Sequence, residues 1–270
     1  MSFGSAVDDL QRQMAISDAV NIVGLNSTGA STVRDEGSVL KAPSGILSYE
    51  PDELMISVFA GTSISDINDE LQGAKQRIPI PEWGTIGGAV ATRRNGLRDS
   101  YHQTLPNNVL RCSVIAADGS LYQSGGQVVK NVSGFDLIKL LVGSWGLLGL
   151  IVEVTMRTEP IPQVSQWVQS ADPTAIAQVN DLYRPSVVTC IEGNMYVLLE
   201  GHEKDVQQQI LHLDGFSLCE MPLTNNSPQL TNVNRSSQGV PHSIERAIRK
   251  EFDPDNKLNK SIASQRGLLT

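Results

Sequence analysis

The stretch Trp83–Gly96, WGTIGGAVATRRNG, places Gly84, Gly87 and Gly88 close together and follows them with small residues and two arginines. Glycine loses more conformational freedom on folding than any other residue. A cluster of it is kept where the backbone takes a special path or where something must come very close. A second loop, GLNSTGAST from Gly24 to Thr32, is rich in Gly, Ser, Thr and Asn. Backbone amides and hydroxyls in such loops can hold a diphosphate without a cationic side chain. Either loop alone reads equally well as a tight turn, because short glycine motifs are common. Two of them in one domain favour a bound nucleotide cofactor.

The periodicity around these loops alternates between helix and strand. AVDDLQRQMAI carries apolar residues at helical spacing, and AVNIVG reads as a short strand. ELMISVFAGTS predicts a strand, and SISDINDELQGAK a helix with Ser63 or Ser65 as N-cap. VLRCSVIAADGSLYQSGG predicts a hairpin turning at Asp118-Gly119. GFDLIKLLVGSWG reads as helical, and LLGLIVEVTMRTEP as a strand ended by Pro160 and Pro162. Beyond Pro162 the segments SQWVQS, SVVTCIEGNMYVLLEG and FSLCEMP are strand-like, while DPTAIAQVNDLY and HEKDVQQQILHL are helix-like. TNNSPQLTNVNRSSQG is a linker or exposed loop. HSIERAIRKEFDP is a last helix with Arg246 and Arg249 on a polar face, and NKLNKSIASQRGLLT is expected to be extended. The chain is α+β, with the first unit ending near Pro162.

Several functions are disfavoured. The net charge of −8 argues against nucleic acid as a partner, which needs a basic footprint. Cys112, Cys190 and Cys219 are odd in number and far apart, so buried free thiols in a reducing compartment are expected, with no metal. His102, His202, His212 and His242 form no metal-binding spacing. No G-x-S-x-G elbow, phosphate-binding lysine loop or G-x-G-x-x-G follows a strand, which disfavours a Rossmann fold. A leader and a membrane span are both unsupported, so a cytoplasmic protein is expected.

The segment VVKNVSGFDLIKLLVGSWGLLGLIVEVTMRTEP resembles the FAD-linked oxidase family, whose domain is also named for p-cresol methylhydroxylase (PCMH) and vanillyl-alcohol oxidase. Lys130, Asn131, Gly134, Phe135, Asp136, Gly143, Gly146, Gly149 and Ile151 fill the positions of the family's K-N-x-x-G-y-D-l and G-x-x-G-x-L-G motifs. GTIGGAVAT matches its T-x-G-G turn, and GILSYEPDELMISVFAGTSISDINDEL its strand-and-helix entry. DPDNKLN resembles its D-P-x-g-x-x-N ending. Within the family the resemblance is strongest to FAD-binding subunits of bacterial glycolate oxidases.

That resemblance implies a two-lobed PCMH-type FAD-binding domain over 1–162. A shortened α/β substrate or cap domain would follow over 163–270, its C-terminal helix returning to the FAD domain. FAD would be held non-covalently, with Cys112 and His102 more consistent with structural roles than with flavin attachment. Its diphosphate would lie on Gly24, Asn26, Ser27, Thr28 and Gly29 and on Thr85, Ile86, Gly87 and Gly88. Ile151 would lie near the adenine end, and Arg98 matches an arginine of the subunit family. Trp145 reads as core packing and Arg93 as a surface residue. The implied function is that of a FAD-binding subunit of a flavin-dependent 2-hydroxy-acid dehydrogenase or oxidase of glycolate type. Its partners would be a catalytic FAD subunit and an iron–sulfur subunit, with peripheral attachment to the inner membrane through them. A non-catalytic scaffold with a degenerate pocket and a stand-alone flavin oxidoreductase are the alternatives. No catalytic residue emerges, because no arginine after Pro162 is grouped with a histidine in a way that suggests a hydroxy-acid site, although His242 lies four residues before Arg246.

Overall fold

A computed structural model describes residues 3–25, 36–94, 105–126, 137–221 and 241–269. Helix α1 (Phe3–Ile16) leads into β1 (Val20–Ile22), which pairs in parallel with β2 (Ser38–Leu40). The main layer is an antiparallel sheet of β3 (Ile46–Glu50), β4 (Met55–Phe59), β6 (Val109–Ile115), β7 (Leu121–Gly125) and β8 (Leu150–Arg157), in the order β3-β4-β8-β6-β7. The short strands β5 (Gln76–Arg77) and β9 (Glu159–Pro160) pair beside it.

Every residue of β4 is buried, and so is every residue of β8 except Arg157, which is why MISVF and LIVEVTM are nearly continuous apolar runs. Helix α2 (Ile64–Leu71) begins where the Ser63 side chain accepts a bond from Asp66 N at 3.0 Å, the predicted cap. It packs Ile64, Ile67 and Leu71 into one cluster with Ile56, Val58, Val154 and Met156. Helix α3 (Ile86–Thr92) adds Ile86, Ala89 and Val90 to that cluster. The turn from β6 to β7 falls at Asp118-Gly119, where Gly119 takes φ +87° and Asp118 Oδ1 accepts Ser120 N at 2.8 Å.

The same sheet buries polar groups. Glu153 accepts from Arg111 at 2.6 Å and Ser113 at 2.5 Å, and Ser57 bonds Thr155 at 2.7 Å. A buried carboxylate is tolerated only with such partners. Cys112, also buried, has its thiol pushed up to about 12, first by burial and then by the nearby Glu153 charge, with Arg111 opposing.

Helix α4 (Leu105–Asn108) precedes β6, and α5 (Ile138–Leu141) precedes β8. The helix expected over 134–146 is shorter than its pattern. Gly143, Trp145 and Gly146 take φ of +91°, +54° and +72°, a path that no helix follows.

A second antiparallel sheet contains β10 (Val164–Ser170), β11 (Val187–Ile191), β12 (Asn194–Gly201) and β13 (Ser217–Cys219), in the order β11-β12-β10-β13. Helices α6 (Ile176–Asn180) and α7 (Glu203–Leu211) bring Val179 and Val206 into its core with Val168, Met195, Val197 and Leu199. Cys190 is exposed on edge strand β11, so the expectation of buried thiols holds for Cys112 and fails for Cys190. Arg77 of β5 joins the β5–β9 pair to the second sheet, donating from Nε to Glu159 at 2.8 Å and from Nη1 and Nη2 to Glu200 at 3.1 and 3.0 Å.

Helices α8 (His242–Phe252) and α9 (Lys260–Gln265) close the chain. Two expectations are corrected here. The segment expected to be extended turns at Asn259, φ 42°, into α9, and Ala263 and Leu268 pack on Leu147. Arg249, expected on a polar face, is 2% exposed and pairs with Asp253 at 3.3 Å. Helical periodicity places charges outward unless a partner waits inside, and Asp253 is that partner. Arg246 donates instead to Gly267 O at 3.2 Å, and among the described residues it makes no pair with His242.

Candidate cofactor site

A cleft opens where six remote segments meet. They are the end of β1 with Gly24, Ala42 after β2, the Ala60-Gly61 turn after β4, helix α3 with its two ends, the Trp145–Ile151 stretch and the C-terminal Asn259 and Ile262. Asn259 ties three of them together. Its Oδ1 accepts from Ile22 N at 2.7 Å and its Nδ2 donates to Trp145 O at 2.8 Å, while its own amide donates to Val20 O at 2.8 Å.

Of the predicted residues, Gly24, Thr85, Gly87, Gly88 and Ile151 line this cleft. Ile86 does not: its side chain is 0% exposed in the core, as its place on the inner face of α3 dictates. Asn26, Ser27, Thr28, Gly29 and Arg98 lie outside the described residues, as do His102 and Lys130 to Asp136. Trp145 both lines the cleft and packs against Leu147, Ala263 and Leu268.

The geometry separates the two adjacent glycines. A Cβ on Gly87 would sit 2.7 Å from Ala60 Cβ and 2.8 Å from Ala60 O, so Gly87 exists to let α3 touch the main sheet. A Cβ on Gly88 would meet Thr85 Oγ1 at 3.0 Å and Arg94 Nη2 at 3.8 Å, with no backbone in the way. Gly88 therefore faces the cleft.

The amides of this turn are already engaged. Ile86 N donates to Thr62 O at 3.0 Å, Gly87 N to Ala60 O at 2.8 Å and Gly88 N to Thr85 Oγ1 at 3.1 Å. Each of these amides thus already serves the fold.

The second arginine of the Arg93-Arg94 doublet takes a prominent place. Helix α3 ends with Arg93 at φ 48°; Arg93 N donates to Val90 O at 3.1 Å and Arg94 N to Ala89 O at 2.9 Å. This left-handed cap turns Arg94 inward while Arg93 stays exposed. Arg94 is 7% exposed and lines the cleft. Its guanidinium stacks 3.6 Å from the centre of the Trp83 ring and donates from Nη1 to Trp83 O. Its Nε has no partner among the described residues. Burial brings its pKa down to about 10. The arginine doublet of the sequence does not say which arginine turns in.

Glycine faces and a desolvated cation with no counterion among the described residues fit an elongated anionic ligand. Among the described residues lining the cleft none is an acid, a histidine or a lysine, so they supply no proton acceptor.

Residues 13–125 match the family model described as a FAD binding domain. Glycolate oxidase subunit GlcE of Escherichia coli (strain K12) is 35% identical over 164 residues, covering 57% of this chain and 47% of that protein. A D-lactate dehydrogenase of Archaeoglobus fulgidus is 33% identical over 141 residues, covering 51% of this chain and 32% of that one. Glycolate oxidase subunit GlcD of Bacillus subtilis (strain 168) is 28% identical over 149 residues, covering 53% of this chain and 32% of that one. The chain thus spans about half the length, or less, of the curated relatives it matches. A solved structure of alkyldihydroxyacetonephosphate synthase shares the fold with a TM-score of 0.61 at 12% identity, over 80% of this chain and 50% of that one. Residues 13–125 of this chain are therefore similar to a FAD binding domain.

Proposed function

We propose that this chain is a FAD-binding subunit of a flavin-dependent 2-hydroxy-acid oxidoreductase of glycolate type. In this reading residues 1–162 carry the cofactor and residues 163–270 form a short cap whose end returns to the cofactor domain. FAD lies non-covalently in the cleft, its diphosphate beside Gly24, Thr85 and Gly88 and its adenine end towards Ile151. Cys112 is buried in the main sheet and does not line the cleft, which supports non-covalent binding. When bound, the flavin supplies hydride acceptance. The chain's own residues orient it and exclude water.

The observation that carries the reading is the cleft itself, whose described lining offers glycine faces, hydroxyls and one cation but no base. Oxidising a 2-hydroxy acid requires a base for the hydroxyl proton. A catalytic FAD subunit would supply it, and an iron–sulfur subunit would take the electrons onward. No helix of the described residues is long and apolar enough to cross a membrane, so attachment to the inner membrane would run through those partners.

The scaffold alternative draws on the engaged amides of the Thr85–Gly88 turn. Flavin released from the purified chain by acid precipitation supports the cofactor reading. A colourless chain whose melting temperature does not rise with excess FAD favours the scaffold, because a ligand that binds the native state must stabilise it. The subunit reading predicts negligible glycolate- or lactate-dependent dye reduction by the isolated chain and clear activity when its genomic neighbours are co-expressed. Robust turnover by the chain alone would overturn it.

A further inference from the structure

We propose that Arg94 is the anion-binding side chain of the cleft, pairing its guanidinium with the diphosphate of the dinucleotide. The inference rests on the FAD reading above and goes beyond it, since that reading places the diphosphate beside Gly24, Thr85 and Gly88 and gives it no cation. Three observations converge. The amides of residues 86–88 are engaged within the fold, so they leave the charge of a diphosphate uncompensated. Arg94 is 7% exposed, lines the cleft and forms no ion pair among the described residues. Its Nη2 lies 3.8 Å from the point that a Cβ on Gly88 would occupy, which is the space a ligand would enter.

A desolvated cation without a counterion is costly, and an anion in the cleft offsets that cost. The Trp83 ring at 3.6 Å and the Trp83 carbonyl hold the guanidinium plane before any ligand arrives. Nη1 is committed to that carbonyl, and the remaining donors of the fork match the paired oxygens of a diphosphate. Arg93 is the natural control, because its side chain is exposed.

The test uses the full chain stripped of flavin, with FAD and ADP as probes in calorimetry. ADP carries the diphosphate without the flavin. Arg94→Met is expected to weaken FAD by about 10–100-fold, the loss of one charge-assisted contact, and ADP by a similar factor. Arg94→Lys should fall between, and Arg93→Met should match the wild type. The flavin-free Arg94→Met chain should melt at or above the wild-type temperature, whereas an arginine that serves structure alone would lower it. Arg94→Gln, which keeps a donor for the Trp83 carbonyl, gives the same affinity reading if the methionine variant does not fold. Unchanged FAD affinity in a folded Arg94 variant overturns the proposal. Loss of FAD with ADP retained also overturns it, since the guanidinium would then face the flavin. Failure of the wild type itself to bind FAD is a separate outcome that overturns the underlying reading and this proposal with it.

Discussion

Gly87 and Gly88 are neighbours with different reasons to be glycine. Gly87 meets the backbone of Ala60 and Gly88 meets the cleft. Gly87→Ala forces a Cβ into Ala60 and should cost about 1–3 kcal/mol, the usual range for overpacking. Gly88→Ala should leave stability within about 1 kcal/mol, since alanine also gains helix propensity. It should nonetheless reduce flavin content, because the new methyl group occupies ligand space. Melting curves and flavin content on the same two variants separate the roles, and equal destabilisation by both would refute the distinction.

At the scale of elements, the C-terminal segment completes the cleft. Asn259 bonds the end of β1 and the Trp145 turn through one side chain, and it adopts a left-handed backbone that asparagine tolerates better than most residues. Asn259→Ala removes both bonds and places a Cβ residue with no side-chain hydrogen bond in that conformation. We expect a loss of about 2–4 kcal/mol, summed from two unpaired backbone groups. Faster hydrogen exchange at the Ile22 amide should accompany it. Exchange at Ile22 equal to the wild type would show that the bond carries no protection.

The β5–β9 pair beside the main sheet meets the second sheet through Arg77, whose guanidinium is shared between Glu159 and Glu200. The Glu200 side chain is 4% exposed, so the arrangement is closer to a buried ion pair than to a surface contact. Glu200→Gln should leave the main sheet intact and lower the opening free energy of the segment from β10 to β13 by about 1–3 kcal/mol. Hydrogen exchange read by segment decides this. A uniform change across both sheets would mean that they open as one unit.

Patterns of short range determined much of this protein. Ser63 caps α2, Asp118-Gly119 turns the hairpin, and the apolar runs of β4 and β8 become the middle of the main sheet, because caps, turns and strand periodicity act over a few residues. The ordered glycine motifs likewise marked the segments that converge on the cleft. What each group meets there was decided by tertiary structure. Ile86 turned into the core, the Gly87 amide found Ala60 and Arg249 found Asp253. Arg94 went inward and Arg93 outward through one left-handed residue. The physical reason is that an amide's partner, or the burial of a charge, depends on groups brought close by the whole fold, whereas periodicity reports only the face on which a residue starts.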